Sequence, residues 1–150
     1  MDDLEAIKQL KYRYLRALDT KNWEVFEGTL TPDVTGDYGS SLKFTTRDEL
    51  VGFMRESVGP AVITEHRVAH PEIDVEGDEA TGRWYLQDRV IVPDFKFMLI
   101  GAAFYDDRYR RTDEGWRICG TGYDRTYEAK MSLDDVPSFA LDVGPAIRID

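Results

Sequence analysis

The sequence contains a single cysteine among its 150 residues, so no disulfide can form within the chain. That residue, Cys119, ends the run Trp116-Arg117-Ile118, and a thiol in such a run is typically buried and inert rather than nucleophilic. No apolar stretch approaches the roughly 20 residues that a membrane-spanning helix needs. The N-terminus is acidic and lacks the basic-then-apolar pattern of a secretory signal. These absences predict a cytoplasmic protein.

Basic residues are outnumbered by acidic ones. The chain has 29 acidic and 19 basic side chains, which give a formal net charge of −10. A surface of this sign repels phosphate backbones and anionic lipids. We therefore expect neither nucleic acid nor membrane as a partner. Solubility alone is the simpler interpretation of the same charge.

The sequence lacks the short motifs of the common cofactor enzymes. It has no phosphate-binding loop, dinucleotide fingerprint, nucleophile elbow or CxxC, and Gly101-Ala102-Ala103 lies inside a strand-like segment. Two histidines with carboxylates could bind zinc, but no HExxH or similar cluster favours a metal site. Most cofactor-dependent chemistry is thereby removed, and proton transfer remains.

Length and periodicity predict one α+β domain over residues 1–150. Hydrophobic residues make up 42% of the chain, which is globular composition, and no linker divides it. The predicted helices are Asp3–Leu18, Asn22–Thr29 and Arg47–Val58. The predicted strands are Val34–Tyr38, Ile63–Val75, Ala80–Val92, Phe95–Arg111 and Trp116–Glu128, with an irregular tail from about residue 131. Helices followed by antiparallel strands indicate a curved sheet covered on one face, a cone whose interior can hold a ligand.

One polar residue interrupts an apolar strand face. Trp84 and Leu86 share that face with Asp88 at period two. Burying an unpaired carboxylate is costly, so Asp88 is either paired with an arginine of a neighbouring strand or functional. Arg125, on a later strand with Tyr123, could offset the charge of Asp88 or of Asp19.

Asp19 follows the apolar end of the first helix. It could cap the next helix, but Asn22 is better placed to do so, which leaves Asp19 free for another role. His66 and His70 are evenly spaced along a strand, which predicts that they share one face. A strand histidine is often structural, yet histidine titrates near neutral pH, so His66 is the natural base.

Two tyrosines are predicted either to pack or to donate to a substrate carbonyl: Tyr14, on the apolar face of the first helix, and Tyr38, at the end of a short strand. Further substrate contacts are expected from Arg125, Trp84, Tyr123 and Phe53.

Several weak motifs occur in a fixed order along nearly the whole chain. They are Tyr14-x4-Asp19-x3-Trp23, Asp37-Tyr38, Thr64-x-His66, Gly82-x-Trp84-Tyr85, and Gly115-Trp116-Arg117-Ile118 leading to Gly122-Tyr123-x-Arg125-x-Tyr127-Glu128. This set resembles the scytalone dehydratase-like, or SnoaL-like, branch of the nuclear transport factor 2-like superfamily. The resemblance implies an α+β cone (a cystatin-like α+β barrel) with a deep pocket, assembly as a homo-oligomer (dimer or trimer), and eliminations, isomerisations or cyclisations without metal or organic cofactor.

The resemblance also implies roles for individual residues. It makes Asp19 and His66 the essential acid–base pair and Tyr38 the group that polarises the substrate carbonyl. The catalytic set of the bile-acid dehydratases matches Tyr14, Asp19, His66, Asp88 and Arg125. Scytalone dehydratase differs, because it has a second tyrosine at the position of Leu18 and a histidine where this chain offers Asp88.

These residues predict a dehydratase-type lyase acting on a small, largely apolar hydroxy-carbonyl compound of polyketide, aromatic or steroid type. His66 would remove a proton α to the carbonyl while Asp19 orients its ring, and His66 or Asp88 would protonate the departing hydroxyl. A ketosteroid-isomerase-like isomerase, a hydrolase and a non-catalytic binder of small ligands are the alternatives, since the fold alone does not imply catalysis.

Overall fold

The computed structural model describes residues 1–39 and 42–148. Within those ranges the helices are α1 (Asp3–Thr20), α2 (Trp23–Gly28) and α3 (Arg47–Ser57). The strands are β1 (Leu30–Asp37), β2 (Lys43–Phe44), β3 (Ile63–Glu76), β4 (Glu79–Val92), β5 (Phe97–Thr112) and β6 (Gly115–Ser132). None of the helices in these ranges has both the length and the apolar character that crossing a membrane requires.

Side-chain caps set where the helices begin. Asp2 caps α1, Asn22 caps α2 and Thr46 caps α3, each accepting a backbone N–H of the first turn. The prediction that Asn22 caps the second helix is confirmed. Helix α1 continues to Thr20, two residues past its predicted end, so Asp19 lies inside its last turn rather than after it.

The strands form one curved sheet in the order β2-β1-β6-β5-β4-β3, and α1 packs against β3 and β6. Strands β3 to β6 pair antiparallel with their sequence neighbours, as predicted. The sequence predicts a strand only over Val34–Tyr38, but β1 begins at Leu30 and pairs with β6 in parallel. Pro32 lies where the β1–β6 register shifts between Leu30 and Thr35, so its missing N–H interrupts no regular ladder.

A buried ion pair involves Lys11, the one charged residue on the otherwise apolar face of α1, which is formed by Leu4, Ile7, Lys11, Tyr14, Leu15 and Leu18. Lys11 is fully buried, and its Nζ lies 2.8 Å from Asp107 Oδ2 and 3.3 Å from the centre of the Tyr105 ring. Burial lowers the pKa of Lys11, and Asp107 opposes that shift. Asp107 also accepts hydrogen bonds from Tyr109 Oη (2.9 Å) and Thr121 Oγ1 (2.8 Å). The aspartate thus has a partner for each oxygen inside the core.

The prediction that His66 and His70 share a face is wrong. The β3–β4 register shifts between Ala69 and Glu72, and His70 adopts a left-handed backbone with φ of 51°. This bulge breaks the two-residue alternation. His70 is exposed, and its ring lies 6.3 Å from that of Tyr85, whereas the ring of His66 is largely buried.

The chain after β6 returns to the end of α1. Apart from a single 3-10 turn at Leu133–Asp135, the described part of this tail has no regular structure, as predicted. The backbone N–H of Arg148 donates to the carbonyl of Thr20 (2.8 Å), and its Nη1 donates to Asn22 Oδ1 (2.9 Å). The tail therefore contacts the segment that immediately follows Asp19.

We expect Asp107→Ala to lower the free energy of unfolding by about 3–5 kcal/mol, because it leaves the Lys11 ammonium buried without a counter-charge. The matched control is Asp33→Ala, which removes the partner of exposed Arg110 and should cost less than about 1 kcal/mol. Urea denaturation followed by circular dichroism measures both. Equal losses in the two variants would contradict the structural role of the Lys11–Asp107 pair.

Candidate active site

The last turn of α1 places Asp19 against β3, where three donors hold its carboxylate. Asp19 Oδ2 accepts the backbone N–H of His66 (2.8 Å), and Oδ1 accepts the hydroxyl of Thr64 (2.8 Å). Oδ1 also lies 2.7 Å from His66 Nδ1. Because a carboxylate accepts hydrogen bonds, we assign the imidazole proton to Nδ1, which leaves Nε2 with a free lone pair. The pair predicted from the sequence is thus in direct contact.

The Asp19–His66 pair is only partly enclosed. The side chain of Asp19 is 23% exposed and that of His66 is 11% exposed. Part of each side chain is therefore in contact with solvent, while most of its surroundings are protein. A histidine with one nitrogen fixed by a carboxylate and the other free is equipped to accept a proton.

A cluster of tyrosines includes both tyrosines predicted for the site. The hydroxyl oxygens of Tyr14 and Tyr38 lie 3.3 Å apart. The ring of Tyr123 packs edge-on against Tyr38 (5.0 Å) and Tyr105 (5.7 Å between centres). Burial raises the pKa of Tyr14 and of Tyr38 well above the ordinary value. Their hydroxyls therefore carry their protons well beyond neutral pH and can act as hydrogen-bond donors.

Asp88 forms an ion pair with Arg125. Arg125 Nη2 lies 2.7 Å from Asp88 Oδ2, and Nη1 lies 2.9 Å from Oδ1, which is a bidentate arrangement. The hydrogen bonds and the charge of Asp88 raise the pKa of Arg125. Asp88 lies directly opposite His66 in the β3–β4 register, so both side chains point to the same face of the sheet. Pairing with an arginine, one of the two alternatives for Asp88, is what the structure shows.

A glycine makes room for this ion pair. Gly101 is the β5 residue opposite Asp88, and a Cβ at that position would collide with Arg125 Nη1. The same Cβ would lie 3.0 Å from the carbonyl oxygen of Tyr127. No function was predicted for Gly101 from the sequence, whereas the structure shows that its missing side chain lets Arg125 reach across β5.

Three of the four residues predicted to contact substrate lie in or near the tyrosine cluster, and Trp84 does not. Tyr123 belongs to that cluster and lies under the guanidinium of Arg125, with 5.1 Å between that group and the ring centre. Phe53 lies beside Phe44, with 5.0 Å between the ring centres, and Phe44 in turn packs against Tyr38. Phe44 was not predicted from the sequence to be near the site.

Trp84 lies elsewhere. Its indole N–H donates to Tyr109 Oη (2.9 Å), and the residue is 1% exposed. Tyr109 in turn donates to Asp107, so Trp84 belongs to the buried network around Lys11. Its hydrogen-bond donor is satisfied within the core, and contact of Trp84 with a substrate stays a prediction.

Two polar residues beside Asp19 were given no role from the sequence. Thr64 lies two residues before His66 on β3, and that spacing alone puts both on one face. Lys21 is 1% exposed, and its Nζ donates to Thr64 Oγ1 (3.3 Å). Burial lowers the pKa of Lys21 to about 8, and the charge of Asp19 opposes this shift. No pattern in the sequence indicates a buried lysine at this position.

A groove of about 580 Å³ crosses another part of the sheet and contains none of the predicted site residues. Its lining is largely charged and includes Asp33, Asp74, Glu76, Glu79, Arg108 and Arg110. Within the described ranges, no three His, Cys, Asp or Glu side chains cluster as a metal site would require.

Comparison with known proteins identifies the family. The SnoaL-like domain matches residues 1–121. The chain belongs to the SnoaL-like domain family. The resemblance expected from the motifs is thus confirmed, together with the α+β fold of the nuclear transport factor 2-like superfamily.

Individual similarities support the same fold. An uncharacterized protein of Mycobacterium tuberculosis is 29% identical over 120 residues, which are 79% of this chain and 82% of the relative. A "Putative Scytalone Dehydratase" of Novosphingobium aromaticivorans superposes with a TM-score of 0.79 at 21% identity, over 85% of this chain and 86% of that one. A hexachlorocyclohexane dehydrochlorinase, LinA-type3, of Novosphingobium barchaimii superposes with a TM-score of 0.77 at 15% identity, over 94% of both chains.

We expect Gly101→Ala to lower the free energy of unfolding by roughly 1–3 kcal/mol, because the added methyl group must displace the Arg125 guanidinium. Gly52→Ala is the matched control: a Cβ there meets nothing within 4 Å, and alanine favours a helix over glycine. Thermal denaturation compares the two. Gly101→Ala melting at or above the parental temperature would contradict the close approach at Gly101.

Proposed function

We propose that this protein is a cofactor-independent lyase that dehydrates a small, largely apolar hydroxy-carbonyl compound of polyketide, aromatic or steroid type. The observation that carries the proposal is the 2.7 Å contact between Asp19 Oδ1 and His66 Nδ1, which leaves Nε2 of a partly exposed histidine free. A protein that only binds ligands has no need of such a pair.

His66 is the base of the proposed reaction. Its Nε2 removes a proton from the carbon α to the substrate carbonyl, and the resulting imidazolium is stabilised by the Asp19 carboxylate 2.7 Å from the other nitrogen. The hydrogen bonds from the His66 backbone and from Thr64 fix Asp19, so it orients the ring rather than taking the proton itself. A base group of this kind supplies about 10²–10⁴-fold in rate.

The tyrosine pair stabilises the enolate. When the α-proton leaves, negative charge develops on the carbonyl oxygen, and a positioned hydroxyl donor lowers the energy of that charge. Tyr38 is the primary donor, and Tyr14, whose oxygen is 3.3 Å away, supports it. A tyrosine hydroxyl is protonated at neutral pH, and burial raises the pKa of both residues further, so both remain donors.

Departure of the hydroxyl completes the elimination. The proton taken by His66 returns to the leaving oxygen, the carbon–oxygen bond breaks, and the products are water and an α,β-unsaturated carbonyl compound. Asp88, proposed as the alternative acid, is paired with Arg125 in this structure, which favours His66 for the step. Arg125 and Tyr123, beside the base on the same sheet, are proposed to contact the substrate.

The named neighbours support the class of reaction. One solved structure carries the name of a dehydratase and another that of a dehydrochlorinase, and both names describe eliminations. The likeness itself is one of fold, so the substrates named there remain those of the neighbours.

The test uses aryl β-hydroxy ketones as probes, in D2O with NMR detection of α-deuteration and in water with absorbance of the conjugated product. We expect the parental protein to catalyse both reactions. His66→Gln and Asp19→Asn should each lower the rate by about 10²–10⁴-fold, because the base or its orienting carboxylate is lost. The control is His70→Gln, since His70 is exposed and lies away from the pair.

Parental rates in His66→Gln, or α-deuteration no faster than in buffer for the parental protein, would contradict the proposed function. α-Deuteration without loss of the hydroxyl would show that the base removes the α-proton but that dehydration does not follow, which contradicts a dehydratase.

A further inference from the structure

Lys21 occupies a position that is unfavourable for a lysine on two counts. Its backbone is left-handed, with φ of 62°, at the end of α1, where glycine is the usual residue because it has no side chain to clash. Its side chain is also buried, although an ammonium group prefers water. A short polar residue or glycine would satisfy the helix end equally well, so the cap alone does not account for the lysine.

The Lys21 ammonium begins a chain of hydrogen bonds that ends at the proposed base. Its Nζ donates to Thr64 Oγ1 (3.3 Å), Thr64 donates to Asp19 Oδ1 (2.8 Å), and that same oxygen lies 2.7 Å from His66 Nδ1. An ammonium group can only donate, so it fixes the direction of the Thr64 hydroxyl towards Asp19.

We propose that Lys21 is a positioning residue of the site, which acts through Thr64 and Asp19 to keep the His66 imidazole neutral and its Nε2 free. The inference rests on the proposed function, in which His66 is the base. A carboxylate beside an imidazole favours the imidazolium form, which has no free nitrogen. A positive charge behind that carboxylate opposes the effect and so keeps the base ready.

The charges around Lys21 determine its own protonation. The negative charge of Asp19, in the last turn of α1, raises the pKa of Lys21. Burial has the larger, opposite effect and lowers the pKa of Lys21 to about 8. His66 faces Asp19 from β3, and Arg148 of the tail contacts Thr20 and Asn22 on either side of Lys21. Lys21 is therefore mainly a cation at neutral pH and loses its charge in mildly alkaline solution.

The test is an NMR titration of the histidine ring nitrogens, which needs no substrate. With Lys21→Met, the titration midpoint of His66 should rise by roughly 0.5–1 pH unit, less than a direct charge contact gives, because Lys21 acts at a distance. Thr64→Val should move the midpoint in the same direction. Lys21→Arg and Thr64→Ser keep the charge and the hydroxyl and serve as matched controls, and His70→Gln assigns the His66 signals.

The parental protein provides a second measurement in case Lys21→Met does not fold. Its His66 signals should show a smaller additional inflection near pH 8 as Lys21 loses its proton. Its free energy of unfolding should also rise between about pH 8 and 10.5, because the unfolded chain binds a proton there that the folded chain has released.

Unchanged His66 midpoints in folded Lys21→Met and Thr64→Val, or no inflection near pH 8 in the parental protein, would overturn the role of Lys21. Such a result would leave the proposed function standing, because that function is judged by the rates of the His66 and Asp19 variants.

Discussion

The carboxylate of Asp19 joins the end of the first helix to the first long strand, and the proposed chemistry depends on this contact. One oxygen accepts the backbone N–H of His66, and the other accepts the Thr64 hydroxyl and faces the imidazole. A side chain held by several donors has little freedom to turn. The geometry of the base is thus set by the way α1 packs on β3, and helix packing becomes a determinant of ring orientation.

Two buried ion pairs divide the interior into a structural part and a candidate catalytic part. Lys11 and Asp107 lie fully enclosed, each oxygen of the aspartate has a partner, and Trp84 is drawn into that network. Asp88 lies opposite His66 and is paired with Arg125, whose side chain keeps partial contact with solvent. Removing one member of a fully enclosed pair leaves a buried charge unpaired and is costly, whereas a pair that reaches solvent can also meet a ligand.

The sequence predicted the helices and the four long strands because periods of 3.6 and two are local properties of the chain. It did not predict the parallel pairing of β1, since strand partners are set by distant contacts and Pro32 obscures the strand. The Asp19–His66 pair stood out through the resemblance rather than through spacing. Lys11 interrupts the apolar face of the first helix in the sequence, and nothing in the sequence indicates that Lys21 is buried. Burial of a lysine depends on groups far along the chain, which a local pattern does not show.

The tautomer of His66 is the most direct test of the proposed mechanism, because the reaction begins with removal of a proton by a free Nε2. Long-range proton–nitrogen NMR correlation at neutral pH distinguishes the two neutral forms and the imidazolium, with exposed His70 as an internal reference. The proposed mechanism predicts that His66 carries its proton on Nδ1 and that Nε2 is unprotonated. A proton on Nε2 would contradict it, whether alone or as part of an imidazolium.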